Sequence, residues 1–428
     1  MASHSNQSLL AAATEVRAPA VHVHISPRMM MSLGALLVVP WLVVGALLAE
    51  SRFRFLEGLT RPAPSTAVPG KPGPWGQLEY RAIRIEPPDE FVFVPPPDYP
   101  AVRWFFKGYS KEKALEFLTS AGLTAAQIEA VQKAEWKSGP EGSGFAPNDK
   151  LILALTPESR ATIYSLLVEF PENARQIDPV WFREGQVDDR LKDSGLSSDS
   201  LALLKRLLYR QGTDELLFAD FVPAVRQLPN DEERHRFMKA VARKRTLLAG
   251  LAIKEDSNIE SIINYWSMGG RKKDVSPLLN ALRREGPAKI NIICLLPNFI
   301  RERLYTYPFP RDKAEVNQDC FWSALNLFND PPDNRVNDMA YVQQLLKTDY
   351  YGIQEPSQLG DVVFLATQND TVVHAASYIA DDIVFTKNGE AYSQPWLLMH
   401  MNDMLDTYAA HYPASGPLKV HFFRKKSL

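Results

Sequence analysis

The chain has 428 residues, with 48 Lys and Arg against 50 Asp and Glu, and only two cysteines. That length is enough for two or three folded units, each with its own core. A formal charge of −2 offers no basic surface for nucleic acid, and two cysteines make neither a disulfide framework nor a metal-ligand spacing. HExxH and glycine-rich phosphate loops are both missing, so neither a metal nor a nucleotide cofactor is expected.

Residues 1–28 are polar and rich in small side chains, the composition of a disordered tail. Residues 29–50 follow, uncharged from 29 to 49, which is long enough to cross a bilayer as one signal-anchor helix. Pro40 would at most kink it. Arg17 and Arg28 precede the run, and Arg52, Arg54 and Arg61 follow it, so the count of positive charges leans towards a cytoplasmic C-terminus. Residues 51–100 form a proline-rich stalk, with Pro95, Pro96 and Pro97 in succession. Short strands are expected inside it at 78–85 and 90–94.

Residues 101–285 read as an all-α region. Thr124 and Gln127 form a capping box, and Thr156-Pro157 supplies an N-cap with proline at the first helical position. Apolar residues at helical spacing continue at Leu201, Leu204 and Leu208, then over 237–251 and 259–265. Nothing in this region carries a chemical signature. Packing or the binding of an unidentified protein partner is its expected role.

Residues 286–428 carry the chemistry. A buried strand is expected at 290–296, which would make Cys294 inert core. Cys320 stands after Asp319 at the start of an apolar helical pattern (Phe321, Ala324, Leu325, Phe328), where the helix dipole and free amides favour thiolate. Strands follow at 360–365, 371–379 and 383–389, the second bearing His374 as a partner for the thiol. A helix over 333–351, another over 396–408 and an edge strand at 418–423 complete an α+β unit, with the cysteine helix packed on an antiparallel sheet. His400, His411 and His421 read as surface or packing residues.

Asp319-Cys320 opening a helix, Gly360-Asp361 opening a strand, and His374 followed by Tyr378 together resemble the NlpC/P60 superfamily of papain-like cysteine peptidases. The likeness covers only the last third of the chain. Phe321-Trp322 replaces the usual Ser-Gly, and Ala376 replaces a Gly. The resemblance implies a Cys320 nucleophile, a His374 base and an amide substrate of the cell-wall peptide (peptidoglycan) class, outside the membrane. Its oxyanion donor would be Tyr307, or Tyr305 in its place, while Gln318 is a competing donor because a side-chain amide does the same work. Asn388 is the candidate to orient the imidazole, although Asn388-Gly389 is equally a turn dipeptide. Two functions stand against each other: a membrane-anchored cysteine amidase, or a tethered scaffold with a degenerate peptidase-like domain.

Overall fold

The computed structural model describes residues 67–427 apart from positions 97, 101, 174–175, 177–178, 212–214, 309–315 and 413–415. The expected membrane span at 29–49 lies outside them. Among the described residues, no helix is long and apolar enough to cross a membrane.

The middle of the chain is not all-α; the fold is mixed α/β with several antiparallel sheets. After β1 (Val68–Pro69) and β2 (Gln77–Ile85), the expected strand at 90–94 is replaced by a 3-10 turn, Asp89–Phe91. A first unit then sets β3 (Trp104–Lys107), β4 (Trp136–Gly139) and β5 (Gly142–Phe145) in the order β3-β5-β4. It packs them on α1 (Lys111–Ser120), α2 (Ala125–Gln132), α3 (Asp149–Leu153) and α4 (Pro157–Leu167). Helical caps were legible here: Thr124 and Gln127 form both bonds of the capping box, and Thr156 caps α4. The strands were not, because β5 is built largely from glycine. A Cβ on Gly142, whose φ is +149°, would lie 2.2 Å from the Phe106 carbonyl oxygen, so only glycine lets β3 and β5 approach.

A second unit repeats the scheme with β6 (Val180–Arg183), α5 (Val187–Leu191), α6 (Ser198–Leu207), β7 (Tyr209–Gln211) and β8 (Glu215–Phe218), in the order β6-β8-β7. Helices α7 (Phe221–Gln227) and α8 (Asp231–Ala242) close its core. The helix expected over 237–251 stops at Ala242, and Lys244–Ile253 is strand β9. Its Leu- and Ala-rich sequence favours helix, but β9 pairs with β2 over nine residues. The tertiary partner overrides local propensity.

Beyond α9 (Ile259–Trp266) and α10 (Lys272–Glu285), strand β10 (Ala288–Asn291) completes the sheet β1-β2-β9-β10. The strand expected at 290–296 ends at Asn291, whose side chain accepts a bond from the Ile293 amide and turns the chain into a 3-10 segment. Cys294 is therefore exposed rather than core.

After α11 (Asn298–Arg303), the C-terminal unit contains α12 (Cys320–Leu325), α13 (Met339–Asp349), β11 (Tyr350–Ile353), β12 (Val362–Ala366), β13 (Val372–Ala380) and β14 (Ile383–Lys387). It ends in β15 (Trp396–His400), α14 (Met401–His411) and β16 (Lys419–Lys425). All six strands pair antiparallel, in the order β11-β16-β12-β13-β14-β15. The expected helix over 396–408 thus begins only at Met401, after a strand. The last strand is interior rather than an edge, because β16 lies between β11 and β12.

Both faces of this sheet are covered. Val362, Phe364, Ala375, Phe385 and Leu398 face the large core shared with β2, β9 and α12, while Val363, Leu365, Ala376, Tyr378 and Val384 pack with Met404 of α14. This is period-two alternation with hydrophobic residues on both sides. Cross-ties join the sheets: the Tyr80 hydroxyl donates to Asp381, Tyr265 to the Ile379 carbonyl and Thr246 to the Leu398 carbonyl.

Candidate active site

Asp319 caps α12, its carboxylate accepting the Trp322 amide at 2.8 Å, so Cys320 occupies the first helical position as the sequence predicts. The helix docks through Phe321 on Phe364, the Ser377 hydroxyl on the Ala324 carbonyl, and the Trp396 indole on the Ser323 hydroxyl. Each of these strand residues belongs to one face of the six-stranded sheet. The thiol lies against the backbone amide of Ala375, one residue past the histidine.

His374 points the other way. A bulge where β12 pairs with β13 adds Val373 between the partners of Leu365 and Ala366. His374, Ala376 and Tyr378 of β13 face α14. The imidazole is fully buried there, its Nε2 2.7 Å from the Thr386 hydroxyl and its ring stacked on Tyr408 with centroids 3.9 Å apart. Its Nδ1 has no hydrogen-bond partner. The fold therefore brings Cys320 and His374 to the same stretch of β13, the thiol at the Ala375 amide and the imidazole against Tyr408, and among the described residues no hydrogen bond joins them.

Electrostatics follow burial. Desolvation pushes the Cys320 thiol up to about 12; the charge of Asp319 adds to this, and the amides of Ala375, Phe321 and Cys320 offset only part. The helix start expected to favour thiolate is overruled, because α12 is six residues long and its first turn is sealed. Burial takes His374 down to about 3, so the imidazole is neutral at neutral pH. The phenols of Tyr408 and Tyr412 are raised by burial first and by the nearby Cys320 second.

The remaining candidates are spread out. Asn388 touches His374 only through an intermediate: its Oδ1 lies 3.4 Å from the Thr386 hydroxyl, and its Nδ2 reaches the Met399 sulfur at 3.7 Å. Thr386 holds the imidazole instead. It went unread in the sequence, although two-residue alternation back from Asn388 would have put this hydroxyl on the same face. Tyr307 is buried against Phe91 and within the field of Glu86, its hydroxyl unpartnered. Tyr305 donates to the Leu247 carbonyl, and Gln318 is half-buried in the segment before Asp319.

The Gly360-Asp361 signature has a structural use. Gly360 has φ +94°, and a Cβ there would meet Phe328 at 2.3 Å. The fully buried Asp361 carboxylate accepts the Ser357 and Gln358 amides and two bonds from Arg424 on β16.

Beside the imidazole face, a cavity of about 920 Å3 opens between β6 and β9 on one side and the segment after β14, β15 and α14 on the other. Asn388, Tyr408 and Tyr412 line it; Cys320 and His374 do not. Arg183 anchors α14 to β6 through Asp403 and Asp406, and Trp181 stacks on His411. No protein-family model, curated protein or solved structure matches the chain.

Proposed function

We propose that this chain is a binding protein whose C-terminal unit carries the cysteine and histidine of a peptidase-like pattern without using them as a catalytic pair. The observation that carries this reading is the missing hydrogen bond between the two side chains: the thiol lies at the Ala375 amide, whereas the imidazole is taken by the Thr386 hydroxyl and the Tyr408 ring. A protonated thiol, a neutral imidazole and two enclosed side chains fit the same reading. General-base activation needs the base within hydrogen-bond reach of the proton that it removes.

The second reading is the one that the resemblance to NlpC/P60 peptidases implies: amide hydrolysis with Cys320 as nucleophile and His374 as base, on a peptide such as that of the cell wall. Two observations favour it, the thiol at the amide next to His374 and the unengaged Nδ1.

Alkylation by iodoacetamide separates the two. In a Cys294→Ser background, Cys320 should react at pH 8 roughly a thousandfold more slowly than a free cysteine, the ratio of thiolate populations for a thiol near 12 against one near its ordinary value. A Cys320 that reacts faster than a free thiol, and loses that advantage in His374→Ala, would establish the hydrolase instead.

A further inference from the structure

The cavity between β6, β9 and α14 has a wall of guanidinium groups. Arg84 and Arg245 stand directly opposite each other across the β2–β9 pairing, and Arg190 and Arg243 adjoin them. Like charges at a cross-strand pair repel. Partners within the protein account for most of the wall: Asp189 pairs with Arg84, Glu86 pairs with Arg243, and Arg245 is engaged as well. Of the other acids that line the cavity, Asp403 and Asp406 are held by Arg183, Glu390 accepts from the Asn317 amide, and Glu215 is engaged within the protein.

Arg190 is different. Its Nη atoms donate to the Trp181 and Val241 carbonyls, each at 2.5 Å, and its Nε, closed off from solvent, has no partner. Its guanidinium lies over the Phe182 ring at 4.2 Å and pairs with no carboxylate among the described residues. Burial, and then Arg243, lower it to about 10, so it is still a cation at neutral pH. A guanidinium carries five N–H groups, and two carbonyl bonds leave donors over. A half-buried cation with no ion pair among the described residues is stabilised by an anion that joins it in the cavity.

We infer that this cavity binds a small organic anion, with its charged group on the wall of Arg190, Arg243 and Arg245 and its apolar body against Trp181, Leu397 and Tyr408. The volume is that of a small-molecule site, which is apolar with a few converging polar groups. The inference rests on the reading of the chain as a binding protein and supplies its ligand class, at a seat away from Cys320. Carboxylate and phosphate share the required chemistry, and different probes distinguish them.

The test is calorimetric titration of the full chain with benzoate, phenyl phosphate and, as the uncharged control, benzyl alcohol. At least one anion should bind at a single saturable site, more weakly as salt is raised; the tighter of the two identifies the charged group, and benzyl alcohol should not bind. Arg190→Met should weaken binding at least tenfold, with Arg190→Lys intermediate, whereas Cys320→Ser should leave it unchanged. Binding by neither anion, equal binding of benzyl alcohol, or full affinity in Arg190→Met would overturn the inference. Should the Arg190 variants fail to fold, hydrogen exchange on the unaltered chain decides: phenyl phosphate or benzoate must protect residues 180–191 and 243–247, and protection elsewhere or nowhere refutes the site. Turnover that depends on Cys320 would remove the non-catalytic reading and leave the anion site standing, so the two failures are separable.

Discussion

Acid should destabilise this protein through one residue in particular. His374 is buried and neutral, with its proton affinity taken down to about 3 by desolvation alone. In the unfolded chain it titrates near its ordinary value of about 6.5. Between those values the unfolded state binds a proton that the folded state refuses, so stability is complete above about pH 6.5 and is lost as pH falls towards 3. At about 1.36 kcal/mol per pH unit, acidification to pH 4.5 removes about 2.7 kcal/mol, and the full loss by pH 3 approaches about 5 kcal/mol. The assay is urea unfolding at pH 7.0 and 4.5, on the wild type and on His374→Gln, which cannot titrate but can still reach the Thr386 hydroxyl. Carboxylate contributions cancel in the comparison, so the variant should lose about 2.7 kcal/mol less than the wild type over this interval. Equal losses in the two proteins would refute the buried, neutral imidazole.

Four further outcomes follow from the same structure. Asp361→Ala strands Arg424 and the Ser357 and Gln358 amides, so it should cost about 3–5 kcal/mol in chemical denaturation, the range for breaking a buried pair. Between the first two units, Asp220 accepts from Arg160 and Tyr164 with all three side chains sealed, so Asp220→Ala should cost about as much, whereas Arg183→Ala at the more exposed α14 anchor should cost under about 1 kcal/mol. Gly142→Ala forces β5 away from β3 and should lower the thermal midpoint by several degrees, about 2 kcal/mol or more; an unchanged midpoint would mean that the strands can part freely.

How much was legible from residues alone divides along a physical line. Local chemistry identified the helix starts at Thr124, Thr156 and Asp319, because a cap satisfies amides within three or four residues and needs no distant partner. It also located strands β2, β12, β13 and β14, and with them His374, from alternation and β-branched content. Pairing decided the rest. Lys244–Ile253 has the composition of a helix and is a strand because β2 lies beside it; Trp396–His400 is a strand because β14 does. The glycines of β5 carry no strand signal, since their value lies in how closely another backbone can approach.

The candidate site shows the same division more sharply. Sequence placed a cysteine at a helix start and a histidine on a neighbouring strand, and both stand there. What each meets depends on the register of one strand. The thiol lies at the Ala375 amide, and the neighbouring His374 side chain turns to Tyr408, because side chains one residue apart leave a strand on opposite faces. The same burial that covers both faces of the sheet keeps the thiol protonated and the imidazole neutral, which reverses the expectation drawn from the helix dipole. Residue types and spacing name the groups that a site contains; register and desolvation, which exist only once distant strands have paired, decide what those groups can do.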